Sequence, residues 1–327
     1  MVDLKGKKIC IVGDSLTEHG HYVAYMRAAM KGAGDLGFSV YNCGIGGNRS
    51  DMVKALVKED VLPYKPDYAA IFFGGNDLGI WLYDARKRET PPLLEERKAR
   101  LNTYERGMYE AIDALQKEGI SPIIFSVAAV SELFDGSKVE TLGDNEEKKV
   151  NLDEGFYTKE TYVAINRALE EELLPIAKRI AEEKGLPFLD LFTPTKKALT
   201  YTLGSHEKDG LHMTTKGYTV LAKIILNAFG YDVPACEELL DEENAEIKRV
   251  ELLSRDIMFL KYNMCHPNEG NYTEEDILNV AKTKLNDPET PDWLKGTCQT
   301  YIDNNGDASA HVQEVVRRAK DYLYGTK

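Results

Sequence analysis

Long apolar runs are missing from this 327-residue chain. No stretch approaches the ~18 residues needed to cross a bilayer, so no membrane insertion is expected. Positive charge is also short: 41 Lys and Arg stand against 54 Asp and Glu, a net charge of −13. Phosphate backbones would be repelled, which argues against nucleic acid as a partner. Anionic lipid surfaces are disfavoured for the same reason. Cysteine is sparse: Cys10, Cys43, Cys236, Cys265 and Cys298 are odd in number, scattered, and never at CxxC spacing. A disulfide framework is therefore not expected, and a structural zinc fits poorly. The opening MVDLKGKK enters an apolar run at once, without a signal-type region or cleavage site. The closing DYLYGTK carries no lipidation or retention signal. The expectation is a reduced, cytoplasmic protein. Hydrophobic residues at 43% and charged residues at 29% leave enough apolar material for a sizeable core.

Short apolar runs alternate with longer helical patterns up to about residue 230. The runs are Lys8–Val12, Phe38–Tyr41, Tyr68–Phe73, Pro122–Val127 and Pro187–Leu191. Continuous apolar strands of this kind are buried on both faces, as in parallel sheets. Helical spacing covers roughly 20–33, 50–61, 96–118, 159–184 and 214–229. In the fourth of these, Tyr162, Ile165, Leu169, Leu173, Ile176 and Ile180 recur every three or four residues, and Gly185 ends the pattern. Strands separated by helices predict βαβ units and a doubly wound α/β sheet.

Two polar stretches, Trp81–Glu96 and Leu133–Gly155, interrupt this scheme and read as surface loops. After about residue 233 the strand runs stop. Ala235–Tyr262 is a long helical stretch, Thr273 with Asp276 forms a capping-box pattern, and a last helix is expected over 309–324. The division expected is an α/β domain at 1–233 and an all-helical C-terminal appendage at 234–327. The appendage is compatible with packing on the sheet's helices, with covering the active edge, or with forming a homo-oligomer.

The polar residues are informative by position. The first strand ends in Gly13-Asp14-Ser15-Leu16-Thr17, the second in Asn42–Ser50, and the third in Gly74-Gly75-Asn76-Asp77. Asp209-Gly210-Leu211-His212 follows the fifth strand by some twenty residues. Open α/β sheets bind ligands outside the carboxyl ends of their strands. Four loops on that edge supply Ser, Gly, Asn, Asp and His, the inventory for acyl transfer. Ser15, between a buried strand and a helix, presents an unsatisfied N–H, although it is also a fitting N-cap. Gly47 lets the backbone approach a ligand, and Asn76 is a neutral donor for an oxyanion. Asp209 and His212 are three apart, so the carboxylate is able to hold Nδ1 and leave Nε2 for Ser15.

These residues resemble the SGNH hydrolases, also called the GDSL esterase/lipase family. Gly13-Asp14-Ser15-Leu16 is similar to its first block, Gly47 to its glycine block, Gly74–Asp77 to its GxND block and Asp209–His212 to its DxxH block, in family order. The resemblance spans about residues 7–230. It implies a flavodoxin-like three-layer α/β/α sandwich with a five-stranded parallel sheet. It also implies hydrolysis of carboxylic esters through an acyl-enzyme, with no cofactor and no metal. By motif position Ser15 is the nucleophile, His212 the base and Asp209 its orienter. The N–H groups of Ser15 and Gly47 with the Asn76 side chain form the oxyanion hole, and Gly44 competes with Gly47. The helical tail is a departure from the family pattern. The α/β-hydrolase family fits worse, because Thr17 stands where GxSxG needs its last glycine.

Two rivals remain open at this point. Asp14, Asp77, Asp209 and His212 suit a metal-dependent phosphoesterase in type, with His19 and His21 as an HxH pair. A non-catalytic binding protein on the same fold is the other. Asp303–Asp307 with Glu314 imitates a calcium loop, but Ala308 replaces the glycine of the sharp turn. Asn48-Arg49-Ser50 and Asn271-Tyr272-Thr273 match glycosylation acceptors, which without a secretion signal carry no weight. For substrate, Asp14 and Trp81 are the candidate contacts, with Tyr83 and Arg86 walling the pocket beside Trp81. That composition points to small soluble esters and to carbohydrate O-acetyl groups. Medium-chain acyl esters, thioesters and lysophospholipids are the alternatives.

Overall fold

The computed structural model describes residues 2–18, 21–32, 37–133, 158–203, 205–207, 209–231, 273–288, 290 and 292–306. The chain divides into two compact units, Met1–Asn244 and Ala245–Lys327.

The first unit holds a sheet of five parallel strands, β1 (Lys8–Gly13), β2 (Ser39–Gly44), β3 (Tyr68–Phe72), β4 (Ser121–Phe125) and β5 (Phe188–Leu189). Their order is β2-β1-β3-β4-β5. Ile9, Cys10, Ile11 and Val12 are wholly buried. Such runs lack polar alternation because helices cover both faces of the sheet. After β1 come α1 (Ser15–Glu18) and α2 (His21–Gly32), and after β2 a series of short turns that includes α3 (Val53–Leu56). Next are α4 (Gly75–Leu78) and α5 (Pro91–Lys117). Then α6 (Lys159–Ala168) runs through a π-helical turn (Leu169–Leu173) into α7 (Leu174–Lys184). Last come α8 (Phe192–Leu199) and α9 (Thr215–Ala228).

Right-handed crossovers distribute these helices. The step from β1 to β2 runs opposite to the steps from β3 to β4 and β4 to β5, so α2 lies on one face and α5 and α7 on the other. On the first face α2 packs with α9, burying Tyr22, Tyr25, Leu221 and Ile225. On the second, α5 packs with α7 and buries Tyr104, Met108, Ile112 and Ala177. The result is the three-layer α/β/α sandwich.

Three details differ from the pattern in the sequence. The polar stretch Trp81–Glu96 is not loop throughout, since α5 begins at Pro91. Proline suits the first helical positions, where its missing N–H has no partner to lose. The helix α8 was hidden by Pro194, which sits in its first turn and is tolerated there for the same reason. In α7 the buried stripe passes through Ala177 and leaves Ile176 half-buried. The π turn ahead of it, at which Pro175 has no N–H to return, lengthens the repeat to four.

In the second unit α10 (Glu274–Asn286) starts at the expected capping box. Thr273 Oγ1 accepts the Asp276 N–H at 3.2 Å, and Asp276 Oδ2 accepts the Thr273 N–H at 2.8 Å. It packs with α11 (Asp292–Asp303), and Ile277, Ala281, Leu294, Cys298 and Tyr301 are buried. The stretches expected at 134–155, 235–262 and 309–324 lie outside the described residues, as does the rest of the calcium-like loop beyond Gly306. Among the described residues no helix is long and apolar enough to cross a membrane.

One close approach ties this fold to the carboxyl edge of the sheet. Gly107 of α5 lies against the turn at Ser50–Met52, where a Cβ would fall 2.4 Å from the Asp51 nitrogen and 2.6 Å from Ser50 Oγ. Gly107→Ala is therefore expected to destabilise the protein by ~1–3 kcal/mol of overpacking, despite a helix-propensity gain of ~1 kcal/mol. A denaturation midpoint at or above that of the parent would show that the turn yields.

Candidate active site

Strands β1, β2 and β3 end at one level. Gly13 pairs in register with Gly44 on one side and Phe72 on the other. Their loops consequently leave the sheet together, at the point where the strand order reverses. After β1, Asp14 makes a tight turn: its Oδ1 accepts the Leu16 N–H at 3.0 Å, and its carbonyl accepts those of Thr17 at 3.0 Å and Glu18 at 2.8 Å. This turn presents Ser15 as the first residue of α1.

The loop before α9 brings His212 to that serine across 197 residues of sequence. Ser15 Oγ lies 2.8 Å from His212 Nε2, and His212 Nδ1 lies 2.5 Å from Asp209 Oδ2. Asp209 Oδ1 accepts the backbone N–H groups of Leu211 and His212, each at 2.9 Å. Burial pushes the Asp209 carboxyl up, but hydrogen bonds from the His212 ring and backbone hold it net below the usual carboxylate range. Burial pulls the His212 imidazole down, yet the Asp209 hydrogen bond and charge, with the charge of Asp14, leave it net above 6.5. An ionised Asp209 fixes the proton on Nδ1, so the Nε2 lone pair faces the serine. His206 contrasts with this: it lies beside Ser205 Oγ at 2.9 Å and burial lowers it to about 4.

The loops after β2 and β3 are stitched to each other. Asn76 Nδ2 donates to the Asn48 carbonyl at 3.1 Å, leaving its second N–H for the cavity. Next to it, Asp77 Oδ1 accepts both the N–H of Ser50 at 2.9 Å and its hydroxyl at 2.6 Å. Gly47 is exposed at φ 73°, and its N–H donates to no acceptor among the described residues. The Gly44 N–H is committed to Asn42 Oδ1 at 2.8 Å.

Asp14, Ser15, Asn76 and His212 line one cavity of about 80 Å³. Its apolar walls come from Ile80, from Val127–Val130 after β4, and from Ile165 and Leu169. Asp209 stands behind His212, and Gly47 is not on the wall. Nor are Trp81, Tyr83 and Arg86. Trp81 is 38% exposed and carries the Arg100 guanidinium 4.4 Å from its ring centre. Tyr83 is buried under Arg97, and Arg86 pairs with Asp84. Ile80, the neighbour of Trp81, takes the wall position. Asp77 turns to Ser50 and Asp209 to His212, and His21 stacks on Tyr218. Among the described residues no three His, Cys, Asp or Glu side chains converge as a metal site needs.

The model of the GDSL-like lipase/acylhydrolase family matches residues 11–220, a span that contains all of these groups. The chain belongs to that family. As an SGNH-type member it is a carboxylic ester hydrolase. An acetylxylan esterase from Geobacillus stearothermophilus is 24% identical over 245 residues, covering 69% of this chain and 95% of that protein. A solved acetyl xylan esterase of the same species superposes with a TM-score of 0.50 at 23% identity, over 70% of this chain and 97% of the other. A gut microbial diltiazem-metabolizing enzyme gives 0.52 at 17% identity, over 70% of this chain and 48% of its own. These two likenesses speak to the fold, in which SGNH hydrolases set their polar blocks on successive strand ends.

Asn48, Ser50 and Asp77 support this family's blocks, and their spacing alone did not reveal the pairings. Burial lifts Asp77 to about 6. A folded-state value above the unfolded 3.8 means that its contribution is complete at low pH and is lost as pH rises through about 6. Asp77→Asn keeps an oxygen for both Ser50 donors and removes that loss. Its stability relative to the parent should therefore improve by about 2 kcal/mol between pH 4 and pH 7. Denaturation curves at the two pH values test this, and a constant difference would contradict it.

Proposed function

We propose that this hydrolase removes short acyl groups, acetyl foremost, from small soluble esters whose alcohol is a carbohydrate, through an acyl-enzyme on Ser15. The observation that carries the reading is the unbroken relay from Ser15 through His212 to Asp209, opening on a cavity of about 80 Å³. Pockets that bury drug-sized ligands run to ~300–1,000 Å³. This one takes only a few non-hydrogen atoms, which favours acetyl over fatty acyl chains. The carbohydrate alcohol is supported by the acetylxylan esterase relative. The net charge of −13 also disfavours work on anionic lipid surfaces. The same charge and the scattered cysteines favour a cytoplasmic setting.

In the proposed reaction Ser15 Oγ attacks the ester carbonyl as His212 Nε2 takes its proton. Asp209, held ionised, stabilises the imidazolium. The Ser15 N–H and the free N–H of Asn76 receive the oxyanion, and Gly47, with its uncommitted N–H, is preferred over Gly44 for the third donor. His212 then protonates the leaving alcohol. Water, deprotonated by the same nitrogen, releases the acid and restores Ser15. Asp14, which lines the cavity, acts by its charge on His212. Trp81, off the wall, is left without a part in acyl binding.

Ser15→Ala should abolish turnover of p-nitrophenyl acetate and of acetylated xylo-oligosaccharide, and also block labelling by a fluorophosphonate. Retained turnover in this variant would remove Ser15 from the reaction. The pH profile is a separate test. The base works only when neutral, so kcat/KM should fall on acidification with a midpoint above 6.5, the ordinary histidine value. Asp14→Asn removes a charge that favours the imidazolium and should move that midpoint to lower pH. An unmoved midpoint would separate Asp14 from the base.

A further inference from the structure

We propose that Ile165 and Leu169 are the residues that set acyl length, and that α6 holds them as a fixed stop opposite Ser15. This rests on the esterase reading above. Both side chains line the cavity that contains Ser15, His212 and Asn76. Both are closed off from solvent, at 0% and 1% exposure, so the wall they form has no opening behind it. Of the other lining residues, Ala128 and Ala129 are already small. Beside Ile80, Val127 and Val130, the helix adds two large side chains to the wall, Ile165 and Leu169, one turn apart on the same helical face.

A stop works only if it stays in place when a longer chain presses on it. Among the described residues, the loops after β3 and β4 and the one before α9 each have a tether to α6 within two turns. Asn166 Oδ1 accepts the Val130 N–H at 3.0 Å, and its Nδ2 donates to the Val130 carbonyl at 3.0 Å and to Glu132 Oε1 at 2.9 Å. Thr161 Oγ1 accepts the Ala85 N–H at 3.0 Å, which holds the segment that carries Ile80. The buried Tyr162 hydroxyl donates to the Asp209 carbonyl. Gly210, at φ 66°, leaves room for the Tyr162 ring, which would lie 2.8 Å from a Cβ there. Moving α6 outward to admit more carbons would break bonds to three loops, including the one that aims His212. Chain length is thus selected at a wall tied to the base.

The test uses the full-length protein and kcat/KM for p-nitrophenyl acetate, butyrate and hexanoate. In Ile165→Ala and Leu169→Ala the butyrate-to-acetate ratio should rise tenfold or more, mainly through a lower KM for butyrate, since one methylene in an apolar pocket commonly changes kcat/KM by ~10-fold or more. Ile165→Val removes one methyl group with little risk to folding and should raise the ratio about twofold. If the alanine variants do not fold, this variant decides. Ratios unchanged in Ile165→Val and in every alanine variant that folds would overturn the assignment while leaving the esterase reading intact. A parent enzyme inert toward all three esters would overturn both.

Discussion

A buried carboxylate beside a half-buried imidazole is costly unless it finds its partners, and the site is organised around meeting that condition. Asp209 spends one oxygen on the His212 ring and the other on two backbone N–H groups of the same short loop. Removing one member of such a pair commonly costs ~3–5 kcal/mol, because the other charge is stranded. The satisfied pair keeps the proton on Nδ1 and presents a basic nitrogen to Ser15. Its geometry then sets the demand on everything around it: strand ends at a common level, a loop that turns tightly, and outside contacts that keep the loop still.

Those contacts come from places that a list of catalytic residues omits. Asn76 is oriented by a carbonyl of the neighbouring loop, and the acid beside it anchors that loop through Ser50. Asp14 and Asp77 are both buried, and burial lifts each to about 6. Two acids held away from their preferred ionisation are a stability cost, and both stand on the loops that build the site. Activity and stability are therefore set against each other on the same few residues.

Much of this was legible in the sequence, for physical reasons. Apolar runs without alternation announce strands covered on both faces. Ser15, Asn76, Asp209 and His212 stood out because each lies where a parallel strand has just ended. Trp81 is not on the cavity wall, because nearness in sequence to Asn76 does not say which way a side chain turns in a tight 3-10 turn; Ile80 lines the cavity, and Arg100 from α5 lies over the Trp81 ring. Tyr162, Ile165 and Leu169 were visible as a helical stripe. Periodicity reports that residues are buried, not what they are buried against, so their place beside the cavity needed the tertiary structure. Ile176 lost its expected place to Ala177 because a π turn is a property of local backbone geometry that side-chain spacing does not encode.

The separation of 197 positions between Ser15 and His212 bears on how the enzyme comes into being. Ser15 leaves the ribosome early and His212 only after all five strands, and the contact between them closes a loop that contains every strand but the first. A nascent chain can assemble β1, β2 and β3 long before it owns an imidazole in the right place. Partly synthesised or truncated copies would thus carry an inert serine, and reactivity would switch on only when the last helix of the sandwich docks.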